Sequence, residues 1–331
     1  MKKALTLVLL VLISIPQIFS QKTTKIIVSE KTGNQKSTVV ESSSPTKFNI
    51  KESIFNLTVI TKPTKDGSYI EISGDRLMKT YNAGNPDLPV ITKLIEIPAN
   101  KTVKINIISF KEKQIKLADF NIKEQIIPAQ ESVSKSDDPD KVIFKKNKEI
   151  YTKNSFYKPE FVTFEDEGYL RNKHLGFIQI SPFEYNPVTN ILNVKYDFEI
   201  EIEFVSDNKS TIVIDERLQS PYFENLPIQT INSTADSKEL IQGPVKYVIV
   251  SHEMFQSTLQ PFIEWKRQKG FKVVEAYTNN PAVGTTTTTI KNYLQGLYDT
   301  PDDGTAPTFV LLVGDVAQIP TFSGNSASHV T

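Results

Sequence analysis

The chain has 331 residues, of which 39% are hydrophobic and 10% aromatic, so it can form roughly two or three domains with substantial cores. Lys and Arg together number 38 and are balanced by 38 Asp and Glu, which argues against a nucleic-acid-binding protein. Cysteine is absent, and this excludes disulfides, thiolate metal sites and a cysteine nucleophile within residues 1–331.

The N-terminus has the pattern of a secretory signal peptide. Two lysines follow Met1, and residues 4–15 form an apolar run that is too short to span a bilayer of about 30 Å. We predict that residues 1–20 are a signal peptide and that the protein is secreted or held at the cell surface. A membrane anchor is the alternative, and no later stretch reads as a transmembrane segment.

Residues 21–208 alternate between apolar and polar side chains, which predicts a mainly antiparallel β domain. The clearest run is "VKYDFEIEIEF" at residues 194–204, where the apolar side chains share one face and a row of acids from Asp197 to Glu203 shares the other. We interpret this row as a solvated face that discourages edge pairing, with a site for a metal or a basic partner as the alternative. Residues 128–149 are predicted to be a long exposed loop.

Residues 209–244 are rich in Pro, Ser, Asn and Gly and are predicted to be a linker. Arg217 and Lys238 lie within it and are candidate processing sites. Proteolysis in this region would separate the segments on either side.

From residue 245 to residue 331 the pattern changes to β-α-β-α-β. Apolar residues at helical spacing, such as Leu259 and Ile263, separate short β-branched runs, which predicts a parallel sheet with crossover helices. Lys266, Arg267 and Lys269 precede Gly270, which is expected to stop the first helix. Thr285–Thr289 offer hydroxyls to cap the second helix. The third run, "TFVLLVG" at residues 308–314, is expected to be a buried and central strand.

Asp315 directly follows this third strand. The carboxyl edge of a parallel sheet is where ligands tend to bind, so Asp315 is a candidate metal ligand or site-orienting carboxylate. The alternative is an Asx-type turn, in which the carboxylate accepts local backbone N–H groups.

Common catalytic signatures are incomplete. His252-Glu253 begins like a zinc-peptidase helix, but Gln256 stands where the second histidine would be. "SGNSAS" at residues 323–328 lacks the second glycine of a nucleophile elbow. A serine hydrolase that uses Ser326 or Ser328 is the weakest functional hypothesis.

Several motifs together resemble the start of the gingipain-type cysteine peptidases. They are "TFVLLVGDVAQIP", the prodomain-like runs at residues 81–98 and 186–204, and a pattern formed by Phe262, Trp265, Lys266, Lys269, Gly270 and Val273. The resemblance covers most of residues 80–331. It implies a multidomain chain: a mainly antiparallel β prodomain, followed by an incomplete α/β segment with a caspase-like parallel sheet.

The resemblance also implies function. The family acts on protein or peptide substrates through a histidine in a Gly-His-Gly context and a later cysteine, neither of which occurs in residues 1–331. We therefore expect the N-terminal portion of a secreted zymogen, truncated before the dyad and inactive alone, whose prodomain contacts and shields the catalytic domain and assists its folding. Family members bind calcium, so calcium is the ion that Asp315 would bind if it is a metal ligand. The alternative is a secreted binding or inhibitor module with a vestigial α/β segment.

Overall fold

The computed structural model describes residues 22–30, 38–44, 46–80, 82–133, 135, 138, 141–171, 173–207, 220–224, 230–232, 245–300 and 305–322. The predicted signal peptide lies outside these residues. Within them, no helix is both long and apolar enough to cross a membrane.

The chain from residue 22 to residue 207, called the β-rich part, folds into strands with a single short helix among its described residues. The strands are β1 (Thr23–Ile27), β2 (Thr38–Ser44), β3 (Lys47–Glu52), β4 (Asn56–Thr64), β5 (Gly67–Ser73), β6 (Ile91–Ile97), β7 (Lys101–Lys116), β8 (Val162–Leu170), β9 (Lys173–Ile180), β10 (Phe183–Asn186) and β11 (Ile191–Ser206). Helix α1 (Lys148–Thr152) lies between β7 and β8, and a 3₁₀ turn (Leu117–Phe120) follows β7. Residues 131–133 of the predicted long loop are exposed, whereas Ala129 at its start is buried.

These strands form three sheets, and every pairing between them is antiparallel, as predicted. One sheet has the order β1-β4-β5 and another has the order β6-β9-β8. In the third, β11 pairs with β7 along one edge, while β10 and β3 share its other edge and β2 pairs with β3.

The predicted alternation of β11 is confirmed, with one irregularity. Phe198, Ile200 and Ile202 are at most 1% exposed, whereas the acids between them face outward. The ladder slips at the start of the acidic row, where Asp197 has a φ of 49°. This slip buries the Asp197 side chain to 5% exposure, against Lys111 and Ser53.

The remaining acids of this row face lysines on neighbouring strands. Lys47 lies 3.1 Å from Glu201, and Lys104 lies 3.5 Å from Glu203. Hydrogen bonds from Asn106 and Lys47 lower the pKa of Glu201. These cross-strand pairs favour the solvated-face interpretation, because each acid already has a cation beside it.

A single hydrophobic core joins the three sheets of the β-rich part. Each sheet contributes side chains that are fully buried, including Leu57 from β4, Ile95 from β6 and Ile200 from β11. The three sheets therefore form a single packed unit, because strands distant in sequence bury the same apolar surface.

Residues 245–322, called the parallel-sheet part, contain β12 (Val245–Ser251), α3 (Gln256–Gln268), β13 (Phe271–Tyr277), α4 (Thr287–Asp299) and β14 (Phe309–Val313). A 3₁₀ turn (Glu253–Phe255) precedes α3. The strand order is β13-β12-β14, and both pairings are parallel, which confirms the predicted β-α-β-α-β unit.

The predicted helix signals are also confirmed. Gly270 adopts a φ of 86° after α3, and its N–H donates to the Arg267 carbonyl at 2.9 Å. The Thr286 hydroxyl accepts from the Thr289 N–H at 3.1 Å, within a reciprocal capping box at the start of α4.

The prediction that residues 308–314 form a buried, central strand is wrong for the described residues. β12 is central there, and β14 lies at an edge with Val310 and Leu312 about half exposed. The reason is that β14 pairs with β12 alone among the described strands. Helix α4 packs with Val248 and Val250 of β12, and an open apolar groove lies between α4 and β14.

Candidate functional site

The carboxyl edge of the parallel sheet places Asp315 in a turn. Its carboxylate accepts from the Val316 N–H at 2.7 Å, and its carbonyl accepts from the N–H groups of Gln318 and Ile319 at 2.8 Å. The Gln318 side chain accepts from the Asp315 N–H at 2.9 Å. The Asp315 carboxylate thus accepts a local backbone N–H, as in the alternative to a ligand role, but from the next residue and not from the residue two positions on that an Asx turn uses.

The described residues do not by themselves fit a calcium site. Calcium takes six to eight oxygen ligands, whereas no three His, Asp or Glu side chains converge anywhere in the described part of the chain. Asp315 is exposed, and one carboxylate oxygen is already engaged. Its role as a metal ligand stays a prediction.

His252 and Ser251 also lie at the carboxyl edge, but they do not form a nucleophile–base pair. The Ser251 hydroxyl donates to the His252 carbonyl, and His252 Nδ1 accepts from the Met254 N–H at 3.2 Å. The histidine thus caps the turn before α3. Ser326 and Ser328 lie outside the described residues, so the serine hydrolase hypothesis stays a prediction.

At the opposite, amino-terminal edge, the linker packs against the parallel sheet. Helix α2 (Pro221–Glu224) carries Tyr222, whose ring lies 4.8 Å from that of Phe309 in an edge-to-face arrangement. Just before it, the buried hydroxyls of Ser220 and Thr308 are 3.0 Å apart. Thr308 in turn donates its N–H to the Lys246 carbonyl, so the linker contacts the residues that open β14.

Further along, the linker returns to the β-rich part and pairs with β6. The Ile231 N–H donates to the Leu94 carbonyl at 2.9 Å. The Asn232 side chain accepts from the Glu96 N–H at 2.9 Å and donates to the Glu96 carbonyl at 2.7 Å. Asn232 therefore makes the two bonds that a neighbouring strand would make along this edge of β6. Arg217 and Lys238, on either side of these anchored pieces, lie outside the described residues.

Arg171 connects the β-rich part directly to this junction. It lies in the turn between β8 and β9, and its Nη2 donates to the Pro307 carbonyl. Its guanidinium carbon is 4.9 Å from the ring centre of Phe223 and 5.9 Å from that of Tyr298. Partial burial lowers the pKa of Arg171 below its ordinary value, but an arginine stays charged at every physiological pH.

His174 holds the stem of this hairpin. His174 is 7% exposed, its ring stacks on Tyr169 with centres 4.3 Å apart, and its Nε2 lies 2.8 Å from the Asp166 carboxylate. The histidine is thus structural, and it braces the hairpin behind Arg171.

The sequence did not reveal the junction residues Arg171, Phe223 and Asn232. Each makes its decisive contact with a residue more than 50 positions away. The sole local signals were aromatic residues within an otherwise polar linker and a basic residue between two strands.

Comparisons with known proteins match both parts of the chain. The model of the family C25 propeptide (Propeptide_C25) matches residues 28–220, and the model of peptidase family C25 matches residues 241–331. Lys-gingipain HG66 of Porphyromonas gingivalis is 34% identical over 285 residues, which is 84% of this chain and 16% of that relative. Gingipain R1 of the same organism is 22% identical over 241 residues, 72% of this chain and 23% of the relative.

A solved structure that addresses the zymogenic latency of gingipain K from Porphyromonas gingivalis is also similar. It aligns with a TM-score of 0.53 at 29% identity and covers 56% of this chain and 100% of its own. This chain belongs to peptidase family C25. It contains the gingipain-type propeptide followed by the start of the peptidase domain. It spans about one sixth of the length of the Lys-gingipains that it matches.

Proposed function

We propose that this chain is the N-terminal portion of a secreted, gingipain-like cysteine endopeptidase precursor. In this proposal, residues 1–20 direct export, and the β-rich part shields the peptidase domain and assists its folding. The observation that carries the proposal is the succession of the family propeptide and the family peptidase start, joined by a linker that contacts both parts. The full precursor would cleave protein or peptide substrates.

The chain alone is expected to have no cysteine peptidase activity. A nucleophile and its base must both be present, and residues 1–331 contain no cysteine. The catalytic histidine and cysteine would follow residue 331. Reading the gene beyond codon 331 tests this directly, since an open frame that encodes Gly-His-Gly and a later cysteine is expected.

Proteolysis in the linker would activate the precursor, with Arg217 and Lys238 as candidate sites. A cut at Arg217 leaves Phe223 and Asn232 joined to the peptidase side, whereas a cut at Lys238 leaves them with the β-rich part. Mass spectrometry of the products formed with Arg217→Ala and Lys238→Ala would distinguish the two. If processing continues in both variants, both residues are excluded as the processing site.

Inhibition in trans tests the latency role. The purified chain is titrated into active gingipain K, with gingipain R1 as a more distant target. Gingipain K should be inhibited more strongly, because the chain is more similar to Lys-gingipain than to gingipain R1. A heat-unfolded sample of the same chain is the control.

The outcomes separate the proposal from its alternative. Inhibition together with a stop codon directly after codon 331 would favour a free-standing inhibitor module. Absence of inhibition by the folded chain would contradict the latency role.

A further inference from the structure

We propose that Arg171 is an interdomain latch, which docks the β8–β9 hairpin of the β-rich part into a pocket formed jointly by the linker and the parallel-sheet part. Phe223, Tyr298 and the Pro307 carbonyl form this pocket. The inference rests on the proposed function in one respect, namely that the two parts are halves of one precursor.

The pocket has the chemistry that a guanidinium selects. A planar cation can lie over an aromatic face while an N–H in its own plane donates to a carbonyl, and Arg171 does both with Phe223 and Pro307. A lysine ammonium could replace one of these interactions but lacks the planar fork. The latch therefore depends on the shape of the side chain as well as on its charge.

The hairpin presents Arg171 in a fixed position. Leu170 and Lys173 pair as the last residues of the β8–β9 ladder, and Arg171 itself adopts a φ of 57° in the turn. Below the turn, the stacked His174 and Tyr169 and the Asp166 carboxylate hold the two strands together. The hairpin thus limits the backbone freedom that is lost on docking, which favours a specific contact.

Two segments of the chain form the pocket. Tyr298 and Pro307 belong to the parallel-sheet part, while Phe223 belongs to the linker. Tyr222, beside Phe223, keeps that wall in place by packing on Phe309 at the start of β14. Movement of the linker would therefore remove one wall of the pocket. The strength with which Arg171 binds the β-rich part to the parallel-sheet part thus depends on the position of the linker.

The latch lies at the amino-terminal edge of the parallel sheet, whereas ligands tend to bind at the carboxyl edge. Pro307 precedes β14, whereas Gly314 and Asp315 follow its five residues, so the two ends are roughly 16 Å apart at the usual strand rise. Arg171 can therefore hold the β-rich part without occupying the carboxyl edge. At this location Arg171 is a docking contact and does not block the carboxyl edge.

Hydrogen–deuterium exchange on the complete chain tests the latch. Arg171→Ala is expected to speed exchange of the amides in residues 305–313 roughly two- to thirtyfold, the range that corresponds to the loss of a partly desolvated cation–π contact. Arg171→Lys should give an intermediate increase. Arg267→Ala is the matched control, because Arg267 pairs with Glu275 at 2.7 Å on the surface of the parallel-sheet part, and it should leave residues 305–313 unchanged.

A double-mutant cycle with Phe223→Leu makes the test specific. If Arg171 acts through the Phe223 ring, the double variant should exchange little faster than the faster single variant. Additive effects, or unchanged exchange in Arg171→Ala, would overturn the latch. Unchanged exchange across residues 47–64 confirms that the variants are folded; if Arg171→Ala fails this check, Arg171→Lys carries the same decision. Because the readout is exchange within the chain, failed inhibition of gingipain K would not count against it.

Discussion

The β-rich part and the parallel-sheet part bury their apolar residues in different ways. In the β-rich part, strands far apart in sequence close around one core in which Ile50, Ile178 and Leu192 are fully buried. In the parallel-sheet part, a smaller cluster forms between α4 and β12, and Val310 and Leu312 of β14 stay about half exposed. The difference indicates that the β-rich part is stabilised by contacts among its own strands. The described parallel sheet depends more on segments that pack against its exposed apolar residues.

The largest expected effect is the loss of a buried charge in the β-rich part. The Glu52 side chain is fully buried, with Arg76 at 2.7 Å and Lys93 at 3.2 Å. Glu52→Gln leaves both cations without their counter-charge and should lower the free energy of unfolding by about 3–5 kcal/mol in urea titrations. Glu203→Gln, which removes the partner of the exposed Lys104, should cost about 1 kcal/mol or less. Equal losses in the two variants would contradict the self-supporting core.

A medium effect is expected from a pair of glycines, one in each part. Gly314 has a φ of 145°, and a Cβ there would lie 2.9 Å from the Gln318 Cβ, whereas Gly67 has a φ of 123° and open space around it. Gly314→Ala combines backbone strain with a clash and should cost about 1–3 kcal/mol, seen as faster exchange across residues 309–322. Gly67→Ala carries the strain alone and serves as the control. A larger cost at Gly67 would reverse the comparison.

The smallest effect concerns Asp87 and is dependent on pH. Burial raises the pKa of this carboxyl, against hydrogen bonds from the Thr80 N–H and hydroxyl. A raised carboxyl pKa means that the folded state holds the proton more tightly, so this group supports folding below its unfolded pKa and opposes it as pH rises.

Asp87→Asn removes that charge and keeps an acceptor oxygen for Thr80. The variant should therefore match or exceed the parent near neutral pH, by about 1 kcal/mol or less, and lose this advantage at about pH 3, where the carboxyl is protonated in the unfolded chain as well. Urea unfolding at the two pH values measures the difference. A greater loss of stability at neutral than at acidic pH would contradict the burial argument.

The sequence predicted what local patterns determine. The alternation of residues 194–204, the Thr286 cap and the Gly270 stop each depend on neighbours a few positions away, and each is found in the structure. The antiparallel and parallel sheets followed from the same periodicities.

Features that depend on tertiary position were not predicted. The exposure of β14 follows from its position at the edge of the described sheet, and the burial of Asp197 follows from a slip in the ladder with β7. The Arg171 contact joins residues 136 positions apart. No spacing rule in a single sequence reports such contacts.

The linker is anchored to both parts of the chain. After a cut, release of the β-rich part therefore depends on protein concentration. While the chain is continuous, Asn232 on β6 and Tyr222 on Phe309 meet their partners at the high effective concentration of an intramolecular contact. A cut at Arg217 turns the Asn232 contact into part of the interface of a two-chain complex, whereas a cut at Lys238 does so for the Tyr222 contact. The lifetime of that complex depends on its dissociation rate, and its occupancy depends on protein concentration. Processing would then set the time at which separation can begin, and the surrounding volume would set how far it proceeds.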